Sequence, residues 1–134
     1  MISYVLDTNA VIALIGRKSD QLVRRVLDSP QGSIGLSSIV VHELYFGAHK
    51  SAKVQHNLET LRLMIADFPI LDFDLHDAFV AGEIRAALAA KGTPIGPYDA
   101  LIAGQAKARE LAVITNNTGE FARVEGLRVE DWTM

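Results

Sequence analysis

The chain has 134 residues, 49% hydrophobic and 22% charged, with no cysteine and a formal net charge of -3. That length supports one hydrophobic core, and the composition excludes a disordered chain, disulfides, thiol catalysis and zinc sites built on thiolates. A mildly acidic balance excludes coating nucleic acid by bulk charge, though not a local basic patch. No stretch approaches the roughly 20 uninterrupted apolar residues of a membrane span, and no basic-then-apolar leader opens the chain, so a cytoplasmic location without membrane attachment is expected.

In chain order, Ile2–Leu6 reads as a short buried strand that hands over to a helix at Asp7, a carboxylate set between two apolar runs. Ser19 can cap a helix through Asp28, which Ser29, Pro30 and Gly32 end. A second strand, Ser33–Leu36, precedes a helix capped by Ser37 or Ser38 and running to about Lys50. Amphipathic stretches then cover Ala52–Ala66 and Leu75–Lys91, on either side of a strand at Ile70–Phe73. Two prolines and two glycines in "KGTPIGPYD" break the pattern before a helix over Tyr98–Leu111. Strands at Ala112–Thr115 and, more weakly, Leu127–Val129 complete the series. Strands alternating with helices and no linker predict one α/β domain over residues 1–134: a central, mostly parallel sheet of about five strands with helices on both faces.

In such sheets ligands sit outside the carboxyl ends of the strands. Asp7 follows the first strand, Glu43 lies in the helix after the second, Asp99 opens the helix after the Pro-Gly loop, and Asn116, Asn117 and Glu120 follow the fourth strand. Singly, Asp7 and Asp99 also read as helix caps. Glu43 sits among Ile39, Val40, Val41, Leu44 and Phe46, where a carboxylate is costly unless paired or holding a cation. Converging carboxylates repel one another, and a divalent cation relieves that repulsion. Oxygen-only donors suit Mg²⁺ or Mn²⁺, which polarise a phosphoryl oxygen and activate water, so phosphoester hydrolysis is the expected chemistry. His42, His49 and His56, spaced by seven, read as solvated histidines rather than a zinc site, because Gly47 and a break near Ser51 interrupt the helix. The basic residues Arg17, Lys18, Arg24, Arg25, Lys50, Lys53 and Arg62 read as ordinary surface, or as phosphate contacts if they lie beside the acids.

"VLDTNAVI", "SSIVVHELYFGAHKS" and "GTPIGPYDALIAGQAKARELAVITNNTGEFARVEGLRVEDW", in this order and spacing, make the chain resemble the PIN domains over essentially its whole length, and among them the VapC toxins of bacterial toxin–antitoxin pairs. The resemblance implies a metal-dependent endoribonuclease restrained by a VapB-like antitoxin, acting as a homodimer on structured RNA such as transfer RNA. It places the acidic triad on Asp7, Glu43 and Asp99, the polar pair after the first acid on Thr8 and Asn9, and the later threonine on Thr115. Many PIN domains carry an aspartate where this chain has Asn117, and Glu120, three residues on, is expected to supply the missing charge. Arg85 is a candidate contact for Glu43 or the substrate. Leu58, Leu61, Leu63, Met64, Val11, Ile12 and Leu14 are candidate contacts for the antitoxin or a second copy, although each also reads as core. Two alternatives remain: a phosphoacceptor signalling module, which should show adjacent acids after the first strand and a lysine after the last, and a PIN-like domain that only binds.

Overall fold

The computed structural model describes every residue from Met1 to Met134. Its elements run β1 (Tyr4–Leu6), α1 (Thr8–Ile15), α2 (Asp20–Asp28), β2 (Ile34–Ser37), α3 (Ser38–Lys50), α4 (Val54–Ala66), β3 (Ile70–Leu71), α5 (Leu75–Ala90), α6 (Pro97–Ala108), β4 (Ala112–Ile114), α7 (Thr118–Phe121) and β5 (Val129–Glu130). The strands form one sheet in the order β3-β2-β1-β4-β5, and every neighbouring pair is parallel. From β1 the chain steps outward through β2 to β3, then returns to lay β4 on the other side of β1. Right-handed crossovers put these two series of connections on opposite faces of the sheet. The turning point lies between β1 and β4, so their carboxyl ends flank the crevice where such sheets bind ligands.

Local chemistry sets the boundaries. Asp7 caps α1, Ser19 caps α2 and Ser37 caps α3, each side chain accepting a backbone N–H of the first turn. Strand β3 stops two residues earlier than expected, because the Phe73 amide donates to Ser38 Oγ at 3.2 Å instead of joining a ladder. Helix α6 begins at Pro97, whose missing N–H costs nothing in a first turn. The segment after β4 winds into the single turn α7, and β5 falls at the end of the stretch that suggested it.

The core is the sandwich of β1, β2 and β4 with the inner helical faces, built on Leu6, Leu36, Val40, Ile102, Val113 and Phe121. Val11 and Leu61 belong to this core, which removes them from the expected partner contacts, whereas Ile12 and Leu63 are exposed. Leu14, Leu58 and Met64 are half-buried. Helix α6 approaches α5 at Gly104, where any Cβ would stand 2.5 Å from that of Ala81. At the other side of this contact Asp77, 1% exposed, accepts from Arg109 Nη2 at 2.8 Å and Gln105 Nε2 at 3.2 Å. No helix is long and apolar enough to cross a membrane.

Candidate active site

Asp7 stands at the turning point and is 2% exposed. Its backbone N–H extends the β1–β4 pairing by donating to Ile114 O, and both of its carboxylate oxygens are engaged. Oδ1 accepts from the Ala10 amide at 2.8 Å and Oδ2 from the Thr115 hydroxyl at 2.5 Å. The sequence therefore has both of its readings at once: Asp7 is a helix cap, and it is also the acid at the head of the crevice. Burial pushes its carboxyl up, the Thr115 and Ala10 bonds offset part of that, and the nearby charge of Glu43 adds to it.

Helix α3 brings Glu43, whose Oε1 accepts from Thr8 Oγ1 at 2.7 Å. Thr8 thus ties the first turn of α1 to the second acid, while Asn9 beside it is exposed. Helix α6 brings Asp99 in its first turn. Its pKa rises to about 6, chiefly through desolvation, then through the charges of Glu120, Asp7 and Glu43 and a hydrogen bond shared with Glu120. The fold thus gathers acids from four separate elements into mutual electrostatic reach.

Glu120 is held differently. Its Oε1 accepts from the Gly96 amide at 2.8 Å and its Oε2 from Asn117 Nδ2 at 2.6 Å. The Asn117 amide first, then the Gly96 N–H, keep its carboxyl below the usual range. Asn117 in turn donates its backbone N–H to Thr115 Oγ1 at 2.9 Å. A chain of hydrogen bonds therefore runs from Asp7 through Thr115 and Asn117 to Glu120 and the turn that opens α6. Arg85 is exposed on α5 and forms no ion pair with Glu43. His42 and His49 on α3 and His56 on α4 are all exposed. Sequence reasoning read Gly96 only as part of the loop that leads into α6 and Tyr98 only as the start of that helix, although their places beside Pro97 and Asp99 were a usable signal.

The donor set is all oxygen and short of cations, and the Asp99 carboxyl, raised chiefly by burial, is raised further by acidic neighbours whose charge a divalent ion would offset, so the chemistry of these residues fits such an ion. No three of these side chains stand close enough together in this structure to form a ready-made ligand shell. Beside the acids, a groove of about 350 Å³ between α1, α3 and α4 is lined by Ile12, Ile15, Leu44 and Leu61, with Glu43 at its edge.

A PIN-domain family model matches residues 4–127. The "tRNA(fMet)-specific endonuclease VapC" of Salmonella typhimurium is 43% identical, over 98% of this chain and 99% of that protein. "Ribonuclease VapC2" of Haemophilus influenzae is 38% identical, over 98% of this chain and 99% of that one. In the solved DNA-bound VapBC of Salmonella typhimurium, one chain superposes with a TM-score of 0.93 at 43% identity, covering 98% of this chain and 99% of its own length. VapBC2 of Rickettsia felis bound to a promoter DNA fragment gives 0.91 at 36% identity, with 98% and 99% covered. With matching fold, near-complete coverage and these identities, the chain belongs to the PIN-domain family, among its VapC members.

Proposed function

We propose that this chain is a metal-dependent endoribonuclease, the toxin of a toxin–antitoxin pair, acting in the cytoplasm as a homodimer on structured RNA. The observation that carries the reading is the electrostatic reach of Asp99 to Glu120, Asp7 and Glu43 beside the turning point of the sheet, with its carboxyl raised to about 6 chiefly by burial and then by these acids. Relatives named as transfer-RNA endonucleases make initiator transfer RNA the substrate of choice.

In this reading Asp7, Glu43 and Asp99 hold Mg²⁺ or Mn²⁺. When bound, the cation supplies Lewis-acid polarisation of the phosphodiester and offsets the charge of the acids. Thr115 and the Ala10 amide fix the Asp7 carboxylate in one orientation, so no reorganisation is left for the moment of reaction. Thr8 occupies Glu43 Oε1 and leaves Oε2 to orient a water. Glu120 holds Asn117 and the Gly96 turn, and adds the negative charge that Asn117 lacks. The groove beside Glu43 suits an apolar antitoxin segment whose basic side chain reaches the acids.

Purified protein should cleave RNA with Mg²⁺ or Mn²⁺ and stop on chelation. Asp7→Asn and Asp99→Asn should each lose cleavage, and Asp99→Asn should melt no lower than the parent, because neutralising that acid relieves repulsion. Full cleavage by either variant refutes the acid-triad assignment.

A further inference from the structure

We propose that Tyr98, His42 and Phe46 form a stacking track for unpaired RNA bases beside the scissile phosphate, ended by Lys50. The inference rests on the nuclease reading and adds how the substrate is held.

The same two helices that bring the acids bring the rings. Tyr98 immediately precedes Asp99 at the start of α6, and His42 immediately precedes Glu43 in α3. Their ring centroids are 5.8 Å apart with planes at 44°, and Tyr98 Oη lies 3.5 Å from His42 Nε2, the long limit of a hydrogen bond. One turn further along α3 stands Phe46, and one turn beyond it Lys50, whose ammonium lies 5.0 Å from the Phe46 ring centre. Spacing by four keeps His42, Phe46 and Lys50 on one face of the helix.

Core packing does not account for these rings. Tyr4 and Tyr45 pack against the core, whereas Tyr98 is 44% exposed, Phe46 58% exposed and His42 exposed. The site also poses a problem that such a track solves. Clustered carboxylates repel the RNA backbone, so affinity has to come from neutral contacts and from cations set away from the acids. Base–aromatic stacking is neutral and tolerates sequence, and single-stranded loops are where RNA exposes its bases. Lys50, at the end remote from the acids, can then take a backbone phosphate.

The test uses a labelled RNA stem–loop of the initiator transfer-RNA anticodon arm, and copies with one loop nucleotide at a time made abasic. Binding is read by anisotropy in chelator, where nothing is cut, and KM and kcat with Mg²⁺. Tyr98→Ala and Phe46→Ala should each weaken binding on the order of tenfold and raise KM, while Tyr98→Phe keeps parental values, because stacking needs the ring and not the hydroxyl. An abasic loop position should reproduce the Tyr98→Ala loss, and the two should not add. Unchanged affinity in Tyr98→Ala and Phe46→Ala overturns the track, as does failure of the parent to bind the stem–loop. If sedimentation shows that the same substitutions split a dimer without weakening RNA binding, the face joins two copies and the track is likewise overturned. Binding without cleavage refutes the nuclease reading and leaves the track standing.

Discussion

Asp99 shows how much one position reports about its surroundings. Its carboxyl has moved from 3.8 to about 6, and the causes are burial followed by the charges of Glu120, Asp7 and Glu43. Between these values the folded protein binds a proton that the unfolded chain has already released. Folding therefore loses stability as pH rises from about 4 to 6, and the full penalty persists above that window. Asp7 shifts in the same direction, while Asp77 and Glu120 shift the opposite way and act chiefly below this range. Melting of chelator-treated protein should thus shift downward across pH 4 to 6, and Asp99→Asn should flatten that slope. Parallel slopes for parent and variant would show that Asp99 is not the group under strain. Asp7 and Asp99 were legible as acids at the ends of elements, since an acid after a strand and an acid after a Pro-Gly loop are short-range patterns. The bond from Thr115 to Asp7 joins residues 108 apart, and no periodicity encodes a contact that depends on β4 lying next to β1.

At the scale of elements, α6 is clamped at the end opposite its acid. Gln105 and Arg109 reach into the start of α5 and the end of β3, with Arg109 also donating to Asp72 O at 2.7 Å. Burial pushes the Asp77 carboxyl up, but the Arg109 bonds, then the Asp74 amide and Gln105, overcome this and hold it below the ordinary range. Such a group stabilises the fold above its unfolded pKa of 3.8, and that contribution fades as pH falls through the lower, folded value. Arg109→Met keeps much of the side-chain volume and strands a buried carboxylate. The expected loss at neutral pH is about 3 kcal/mol or more. Without Arg109 only the Asp74 amide and Gln105 oppose burial, so the acid's pKa rises relative to the parent and acidification should narrow the gap between variant and parent. Denaturant titrations at pH 7 and pH 4.5 check this, and an equal gap at both would mean that Asp77 is not what Arg109 holds in place. The helices themselves were readable from caps and apolar spacing: Ser19 and Ser37 cap where local rules put them, and α6 starts at Pro97, one residue before the expected Tyr98. Asp77 was not readable as a buried ion, because an aspartate in a first turn ordinarily faces water and complements the helix dipole.

Across the whole molecule, the crossing of the chain on both faces of the sheet brings the acids of β1, α3 and α6 to one rim, and leaves a groove between α1, α3 and α4 that opens at Glu43. If the proposed function holds, an enzyme of net charge -3 that attacks RNA in its own cell has to be held inactive by something more than poor electrostatic attraction. Under the proposed function the groove offers the means, because an antitoxin seated there would bury apolar surface on Ile12 and Ile15 while its basic side chain lay against the acids. Ile12 is the position at which this can be probed without touching the core, being 46% exposed on α1. Ile12→Arg removes an apolar contact and sets a solvated cation against the antitoxin's apolar segment, so binding loses both ways. The variant should melt within a few degrees of the parent and cleave RNA as well as the parent does. Its capture of a VapB antitoxin should fall at least tenfold, and co-expression of that antitoxin should no longer restore growth. Neutralisation of Ile12→Arg at parental antitoxin levels would remove the antitoxin from this groove and leave its inhibitory contact to be sought on another face.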